Sequence, residues 1–549
     1  MSHPPVHPKA TEVDVMLLLE GTFPYVSGGV SSWVNQIIRG FPEYRFGAVF
    51  IGSQESDYGE MKYALPDNFV HLECHYLHSK HAVPLAADMH KLTGKKGALA
   101  SMQHTHDVLR DKKGANVTEL FEVMQSITQE MGPGGLMGNE EFLYGRQSWD
   151  YITQQYRERC TDPSFVDYFW TVRIMHAPIW TLYKITQNLI PAKAFHSIST
   201  GYAGYLGAML KAKYKKPLIL SEHGIYTKER KIDLFQSEWI ADNRGVFEKD
   251  TSQLSYFRDL WIRFFESLGR MCYAASDDII ALYEVNRLRQ VKDGAPAERT
   301  ANIPNGINLP RLAALRDKRP ADPPPVLCLI GRVVPIKDIK TFIRAMRSVV
   351  NQLPDAEGWI AGPEDEDPAY ARECHAIVEG LGLTNNVKFL GFQKIDELMP
   401  KIGLVILSSI SEALPLVLLE GFAAGVPAVA TDVGSCRQLM FGLDDEDKAL
   451  GAAGDVVRIA DPQALAQACV DLLGDRARWT QAQAAGIARV EKYYTQDMMF
   501  GKYRDLYQKA MAPTNTLSEN GDTNNSDLTT STNNSNAAPL RCPITGHQA

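Results

Sequence analysis

Two basic side chains stand five residues apart in the segment GRVVPIKD, which runs from Gly331 to Asp338. The apolar run VLCLI lies just before it and is typical of a buried strand, so Arg332 and Lys337 are expected in or just after the turn that follows. A guanidinium offers a planar fork to phosphate oxygens and an ammonium offers a point charge, so the two are suited to a diphosphate. The simpler alternative is that both side chains are solvated cations of a loop, and the spacing alone favours this alternative.

Two glutamates flank the start of an apolar segment in SSISEALPLVLLEGFAAG. Glu412 precedes the predicted helix, and Glu420 lies inside it among apolar residues. A lone carboxylate in such a helix is costly unless it has partners. The vicinal hydroxyls of a ribose would supply them to Glu420, whereas the alternative is an ordinary surface glutamate.

The same segment predicts where this helix begins. Proline is favoured at the first helical position, so Pro415 indicates a helix start there. The backbone N–H groups of Leu416, Val417 and Leu418 are then expected to be free and to face an anion.

Adjacent glycines stand in the first half of the chain, in EGTFPYVSGGVSSWV. Gly28 and Gly29 come after the apolar strand VDVMLLL and directly before a predicted helix. Glycine allows the backbone to approach a ligand closely, and the helix start again favours an anion. A plain turn is the alternative interpretation.

One histidine stands at the end of another predicted strand. His223, in SEHGIY, follows the apolar run PLILS. From the residue alone, His223 either makes a hydrogen bond to a ligand or is a core histidine whose hydrogen bonds are made within the protein. Lys228 and Arg230 follow closely and would add positive charge.

These residues must be positioned by alternating strands and helices. Continuous apolar strands between amphipathic helices indicate an α/β fold with doubly wound parallel sheets, in which ligands bind beyond the carboxyl ends of the strands. The strands on either side of the helical block at about 80–190 are expected to be neighbours in one sheet, which makes the block an insertion. The proline-rich KRPADPPPV predicts a linker between two such domains.

The expected organisation therefore has four parts. Residues 1–320 form a first Rossmann-like domain with the helical insertion, and residues 321–490 form a second one. Residues 491–511 form a C-terminal helix. The tail at 512–549 lacks apolar content and is expected to be disordered.

The composition limits the class of protein. The chain has 549 residues, is 45% hydrophobic and 22% charged, and carries a net charge of −8, which does not indicate a nucleic-acid surface. No apolar run reaches the length of a membrane span, and no secretory signal is recognised. Eight cysteines are scattered without paired spacing, as in proteins of a reducing compartment. We expect a cytoplasmic protein.

The motifs resemble those of family-4 retaining glycosyltransferases. The matching features are the Gly-Arg…Lys segment, the glutamates Glu412 and Glu420 with seven residues between them, FAAGVPAVATDVGS and IPNGI. The resemblance covers most of residues 13–510. The segments GTFPYVSGGVSSWVNQIIRG and SEHGIYTKER, with the helical block, are similar to the PelF group, the cytosolic glycosyltransferases of Pel exopolysaccharide systems. The fold that this implies is GT-B, two Rossmann-like domains facing across a cleft, with the last helix returning to the first domain.

The resemblance also implies roles for matching positions in the second domain. Arg332 and Lys337 would bind the donor diphosphate, Glu420 would hold the ribose, and Glu412 would contact the hydroxyls of the donor sugar. Many relatives have glycine directly after the first of these glutamates, whereas this chain has Ala413.

Other matching positions border the same implied cleft. The backbone of Leu416 and Val417 would lie near the phosphates or the sugar. Gly28 and Gly29 would form the opposing loop of the first domain, and His223 would lie near the sugar. Asn305, in IPNGI, would shape the interdomain hinge.

The implied activity is that of a hexosyltransferase that retains configuration. The donor would be a UDP-sugar, with UDP-glucose as the first guess, and the acceptor a growing exopolysaccharide of a biofilm. No metal or other cofactor is expected, because cations and helix-terminal N–H groups are able to stabilise the leaving diphosphate. The acidic run GPEDEDP is expected to be a solvated loop.

Two other functions remain open from the sequence. A nucleotide-sugar 2-epimerase would convert the sugar without an acceptor. A donor-binding scaffold subunit of a membrane polysaccharide synthase would bind a nucleotide without turnover. As partners, the resemblance implies inner-membrane Pel assembly proteins and recruitment to the cytosolic face of that membrane.

Overall fold

The computed structural model describes residues 7–77, 95, 97–110, 116–132, 134–237, 239–240, 242–243 and 255–512. The expected disordered tail, apart from Ala512, lies outside these residues. Within them, no helix is both long enough and apolar enough to cross a membrane.

The first domain is built on a parallel sheet of seven strands with the order β3-β2-β1-β4-β5-β6-β7. Its strands are β1 (Val13–Glu20), β2 (Phe46–Gly52), β3 (Phe69–Tyr76), β4 (Ala192–Ser197), β5 (Leu218–Glu222), β6 (Asp278–Ala281) and β7 (Thr300–Asn302). The central strands are buried on both faces, which explains their continuous apolar sequences.

The second domain has a parallel sheet of six strands with the order β10-β9-β8-β11-β12-β13. Its strands are β8 (Val326–Ile330), β9 (Glu357–Ala361), β10 (Val387–Gly391), β11 (Leu404–Leu407), β12 (Ala428–Thr431) and β13 (Gly454–Val457). The strand order reverses between β8 and β11 here, and between β1 and β4 in the first domain. Ligands of open α/β sheets bind in the crevice at such switch points, beyond the carboxyl ends of the strands.

Helices cover both faces of the two sheets. In the first domain the described helices are α1 (Gly29–Gly40), α2 (Ala98–Arg110), α3 (Val117–Glu130), α4 (Asn139–Tyr144), α5 (Arg146–Arg159), α6 (Phe165–Asn188), α7 (Tyr202–Tyr214), α8 (Tyr226–Gln236), α9 (Tyr256–Ala275) and α10 (Glu284–Lys292). After β7 they are α11 (Leu309–Ala313), α12 (Ile339–Gln352), α13 (Pro368–Gly380), α14 (Ile395–Leu398), α15 (Leu416–Ala423), α16 (Cys436–Phe441), α17 (Asp445–Lys448), α18 (Pro462–Gly474), α19 (Arg476–Tyr493) and α20 (Gln496–Met511).

Helices α2 to α6 lie between β3 and β4 in the chain. These two strands belong to one sheet but are not adjacent in it, because β2 and β1 lie between them. The expectation that the flanking strands are neighbours is therefore wrong. Leu120 and Met124 of α3 pack in one apolar core with Leu206 of α7 and Leu268 of α9, so these helices are continuous with the core of the first domain.

The last helix, α20, packs on the first sheet. The hydroxyl of Tyr507 lies 2.8 Å from Nδ1 of His196 on β4, and the hydroxyl of Tyr503 lies 2.8 Å from Oγ of Ser221 on β5. All four side chains are fully buried or nearly so. This polar network holds the C-terminal helix against β4 and β5.

Candidate functional site

The loops after β8 and β11 are joined by an ion pair at the switch point of the second sheet. Nζ of Lys337 lies 2.6 Å from Oε1 of Glu412, and Oγ of Ser409 donates to the same oxygen at 2.6 Å. Oγ of Ser408 lies within 3.0 Å of the carbonyl oxygens of Lys337 and Asp338, which fixes the two loops together. The structure thus brings Lys337 and Glu412 together, although 75 residues separate them in the chain.

Arg332 lies in the same loop but has a different partner. Its Nη1 contacts both carboxylate oxygens of Glu366 at 2.5 Å, and both side chains are about half exposed. Exposed ion pairs contribute little stability, so a diphosphate could replace Glu366 at low cost. Glu366 belongs to GPEDEDP, and Asp367 of the same run caps α13, so this run is more than a solvated loop.

Helix α15 begins one residue later than the sequence indicates. Pro415 is the residue before the helix rather than its first residue, and Leu416 is the first. The N–H of Leu418 donates to the carbonyl of Pro415 at 3.1 Å, so the expectation that it is free is wrong. No described residue accepts a hydrogen bond from the N–H of Leu416 or Val417.

Glu420 lies one turn further along α15 and is only partly exposed. Its carboxylate receives no hydrogen bond from any residue in the described part of the chain. Burial raises the pKa of this carboxyl to about 7, and the nearby Asp396 raises it further while Arg311 opposes the shift. Arg311 and Asp396 are paired with each other at 2.7 Å, which leaves Glu420 to find its partner elsewhere.

Gly434, in the loop after β12, supports the turn that carries Glu412. It adopts a φ of +53°, and a Cβ there would lie 2.4 Å from the carbonyl oxygens of Glu412 and Ala413. Only glycine allows this approach without displacing the turn. The N–H of Ser435 also donates to the carbonyl of Ala413 at 2.9 Å.

A cavity of about 830 Å³ lies beyond the carboxyl ends of the strands of the first sheet. Residues after β1, β4 and β5 line it, and Ala413 of the second domain reaches it. Three of its lining side chains have buried polar atoms with no hydrogen-bond partner in the described residues: Oγ1 of Thr22, Oγ of Ser199 and Nε2 of His223. Buried polar groups in proteins are nearly always paired, so these atoms indicate a site for a polar ligand.

His223 lies on this cavity directly after β5. Its ring packs edge-on against Trp33 of α1, with ring centroids 4.5 Å apart, and burial lowers the pKa of the imidazole to about 4. The ring is therefore neutral near pH 7 and its unpartnered Nε2 is able to make one hydrogen bond.

Glu222, next to His223, has a structural role. Its carboxylate accepts hydrogen bonds from Tyr273 at 2.8 Å, Gln290 at 3.1 Å and the backbone N–H of Tyr226 at 3.1 Å. Burial raises its pKa, and these bonds oppose the rise. The network holds the end of β5, and with it His223, in place.

A cluster around Glu20, which the sequence did not single out, also lines this cavity. Glu20, the last residue of β1, accepts a hydrogen bond from the hydroxyl of Tyr226 at 2.8 Å and lies 3.6 Å from the guanidinium of Arg230. Arg230 thus does face the cavity, whereas Lys228 is exposed and is not among its lining residues. A carboxylate directly after seven strand residues was the available signal for Glu20.

The structure gives no steric reason for glycine at positions 28 and 29. Gly29 begins α1, Gly28 has an extended backbone with φ of 164°, and a Cβ at either position would meet no atom within 4 Å. Val30, the next residue, lines the cavity. The space around these two glycines would therefore accept a larger side chain.

We predict that Gly29→Ala, at the first position of α1, leaves the melting temperature unchanged or raises it, because alanine is favoured over glycine in a helix by about 0.5–1 kcal/mol. We expect kcat/KM for the reaction that the sequence resemblance implies to fall about tenfold or more. Calorimetric melting and steady-state kinetics measure the two effects. Full activity of the variant would favour the plain turn.

Asn305 and Gly306 lie at the crossing between the domains. A Cβ at Gly306 would lie 2.4 Å from the carbonyl oxygen of Thr495, and the N–H of Ile307 donates to the carbonyl of Tyr494 at 3.0 Å. Oδ1 of Asn305 is buried without a partner among the described residues, but Asn305 is not part of the cavity wall.

In the described residues, no three His, Cys, Asp or Glu side chains converge as a metal site would require.

The sheet orders, the two facing switch points and the C-terminal helix on the first domain define the GT-B class of folds. Two families match the chain: residues 13–298 match a domain of unknown function, DUF3492, and residues 324–475 match the glycosyl transferases of group 1. The first match covers more than half of the chain, so the protein belongs to the DUF3492 family.

Solved structures agree with this fold. HepE of Anabaena in complex with UDP has a TM-score of 0.53 at 14% identity, over 90% of this chain and 100% of that one. Sucrose-phosphate synthase of Thermosynechococcus elongatus has a TM-score of 0.52 at 16% identity, over 91% and 99%. These likenesses confirm the GT-B fold class expected from the sequence.

Curated relatives match shorter stretches. An exopolysaccharide phosphotransferase of Streptomyces coelicolor is 37% identical over 183 residues, 31% of this chain and 18% of the relative. The lipopolysaccharide core mannosyltransferase LpsB of Rhizobium meliloti is 28% identical over 183 residues, 33% of this chain and 50% of LpsB. The chain thus spans half or less of the length of these two relatives.

Proposed function

We propose that this protein is a glycosyltransferase that moves a hexose from a UDP-sugar to a growing exopolysaccharide with retention of configuration and without a metal ion. The observation that carries the proposal is the convergence of Lys337, Glu412 and the two free N–H groups of α15 at the switch point of the second sheet. The match to group 1 glycosyl transferases over 324–475 supports it. HepE, which has this fold, binds UDP and UDP-glucose.

In the proposed donor site, Glu420 accepts hydrogen bonds from the ribose hydroxyls. Arg332 exchanges Glu366 for the diphosphate, and Lys337 meets the same diphosphate beside Glu412. The N–H groups of Leu416 and Val417 add the field of a helix N-terminus. Together these donors stabilise negative charge on the leaving diphosphate, which is the task a metal ion performs in other enzymes.

The proposed transfer needs no protein nucleophile. As the bond between C1 of the sugar and the diphosphate oxygen breaks, the acceptor hydroxyl attacks C1 from the same face. Its proton passes to the leaving phosphate oxygen, so the products are the glycoside and UDP. Glu412 orients the sugar hydroxyls while Nε2 of neutral His223 donates to or accepts from one of them.

The acceptor is proposed to enter through the cavity of the first domain. Its unpartnered hydroxyls, Thr22 and Ser199, and the Glu20–Tyr226–Arg230 cluster offer the polar contacts that a sugar chain uses. Relatives that act in exopolysaccharide and lipopolysaccharide synthesis support an acceptor of this class. A Pel-like role, with inner-membrane assembly proteins as partners and a cytoplasmic location, rests on the resemblance of GTFPYVSGGVSSWVNQIIRG and SEHGIYTKER to the PelF group.

The test is calorimetric titration with UDP-glucose, UDP-N-acetylglucosamine, UDP-N-acetylgalactosamine, GDP-mannose and ADP-glucose in EDTA. We expect one UDP-sugar to bind in EDTA as tightly as in Mg²⁺ and the two other nucleotides to bind about tenfold more weakly or worse. Preference for GDP-mannose would contradict the donor, and binding only after Mg²⁺ is restored would contradict the metal-free site. Release of UDP that depends on added oligosaccharide separates transfer from epimerisation and from a scaffold role.

A further inference from the structure

A second cavity, of about 960 Å³, lies among the helices between β3 and β4 and helix α9. Its wall is mostly apolar and includes five methionines: Met102, Met131, Met137, Met175 and Met271. Protein cores are normally packed without such voids, and ligand sites have volumes of roughly 300–1,000 Å³. Methionine is common where a wall must adapt to the shape of an apolar ligand.

This second cavity lies directly behind the cavity of the first domain, through which the acceptor is proposed to enter. On α6, Ile174 lines the cleft cavity and Met175 lines the second one. On α9, Phe265 lines the cleft and Phe264 lines the second cavity, with ring centroids 5.5 Å apart. One layer of helices therefore separates the two cavities. A ligand in the second cavity would contact the helices that form the wall of the first.

The two histidines of this cavity are neutral near pH 7, and the charged Asp259 and Arg263 of α9, which also line it, pair with each other at 2.8 Å. His106 and His176 lie side by side with ring centroids 5.7 Å apart, and burial lowers the pKa of both, that of His106 to about 3. Nδ1 of His106 lies 2.9 Å from the hydroxyl of Tyr151, and Nδ1 of His176 donates to the carbonyl of Val172 at 2.7 Å. The interior therefore suits an uncharged, apolar group.

The exposed lining residues show where the cavity opens to solvent, and basic side chains lie at this opening. Arg110 and Lys292 are exposed on this rim, where Arg110 pairs with the exposed Asp107 at 3.0 Å, and the guanidinium of Arg270 donates to the carbonyl of Leu109 at 3.1 Å beside them. The nearby carboxylate of Asp293 is paired with Arg289 at 2.8 Å. An apolar interior with a cationic rim matches a molecule that has an apolar chain and an anionic head.

We propose that this cavity binds the aliphatic chain of an anionic amphiphile, with its head at Arg110 and Lys292. Such a ligand packs against α6 and α9, which also line the cavity of the first domain. The chemistry is shared by two sources, a straight fatty-acyl chain and a branched isoprenoid chain. The binding itself does not depend on the function proposed above.

The test uses the full chain and two probes below their micellar concentrations, dodecyl phosphate and farnesyl phosphate, in calorimetric titration. We expect at least one to bind, and Met175→Trp, which fills the cavity, to weaken that binding about tenfold or more. Val166→Trp adds the same ring to the exposed face of α6 and should leave binding unchanged. Tighter binding of farnesyl phosphate assigns an isoprenoid chain, and tighter binding of dodecyl phosphate assigns a fatty-acyl chain.

Three results would overturn the proposal. One is the absence of binding of either probe up to its solubility limit. Another is equal affinity of the wild type and the cavity-filling variant. The third is equal affinity for dodecyltrimethylammonium, whose head is cationic. If Met175→Trp does not fold, Met137→Trp fills the same cavity from the loop before α4, and UDP binding measured on each variant shows that the donor site is intact.

Discussion

Replacing Glu420 with glutamine is expected to stabilise the protein at pH 8 and to weaken its binding of UDP at the same time. Burial raises the pKa of this carboxyl to about 7, whereas its ordinary value in an unfolded chain is 4.5. Between these pH values the unfolded chain holds the carboxylate and the folded chain holds the acid, so stability falls as the pH rises. Above pH 7 the full cost of the buried charge is present, on the order of 2 kcal/mol for a partly exposed group, and glutamine removes it.

The weaker binding of UDP has a different cause, because the substitution also removes a charged hydrogen-bond acceptor. Glutamine keeps one neutral acceptor oxygen for a ribose hydroxyl and loses the other. A hydrogen bond to a charged group contributes about 1.5–3 kcal/mol, so the loss of one should lower UDP affinity about 10- to 100-fold. Scanning calorimetry at pH 5 and pH 8 measures the gain in stability, which should be larger at pH 8, and titration calorimetry measures the binding. Glu379→Gln, on the exposed face of α13, is the matched control and should change neither. A lower melting temperature at pH 8, or unchanged affinity for UDP, would contradict this account of Glu420.

The apolar pattern of the chain predicts most of the central strands, because strands of a parallel sheet are buried on both faces and are continuously apolar. VDVMLLL and VLCLI became β1 and β8 for this reason. β3, at the edge of the first sheet, was not recognised because FVHLECHY mixes polar and apolar residues. There the carboxylate of Glu73 lies 3.0 Å from Nε2 of His71 and 3.1 Å from Nε2 of His75, so it pairs with both histidines on the strand.

The candidate site was predicted one residue at a time, but its pairings were not. The ends of parallel strands meet at one edge of the sheet, and this places Lys337, Glu412 and Glu420 near the switch point. Which side chains meet there depends on the order of the strands and the shape of the loops. The contact of Glu20 with Tyr226 across 206 residues and that of Arg332 with Glu366 leave no trace in local spacing.

Replacing Lys337 with methionine is expected to lower kcat about 10²- to 10³-fold. In the proposed mechanism the ammonium neutralises charge that develops on the diphosphate as the sugar leaves, and single donors of this kind typically account for a loss of that size. Methionine keeps most of the length of the side chain, so the packing beside Gly331 is retained. Steady-state kinetics with the preferred UDP-sugar measures the change. Lys340→Met is the control and should leave kcat unaltered, because Lys340 is as exposed as Lys337 but pairs with Glu373 of α13 rather than with Glu412.

The pairing of Lys337 with Glu412 makes a sharper version of this prediction possible. Without the lysine, Ser409 is the one donor to the partly buried carboxylate of Glu412 that remains among the described residues, and an uncompensated charge would repel the diphosphate. Adding Glu412→Gln to Lys337→Met should therefore reduce activity by less than the product of the two single losses, because residues in contact are not additive. If the two losses simply multiply, the ion pair seen here has no part in holding the diphosphate, and Lys337 and Glu412 act on separate parts of the donor.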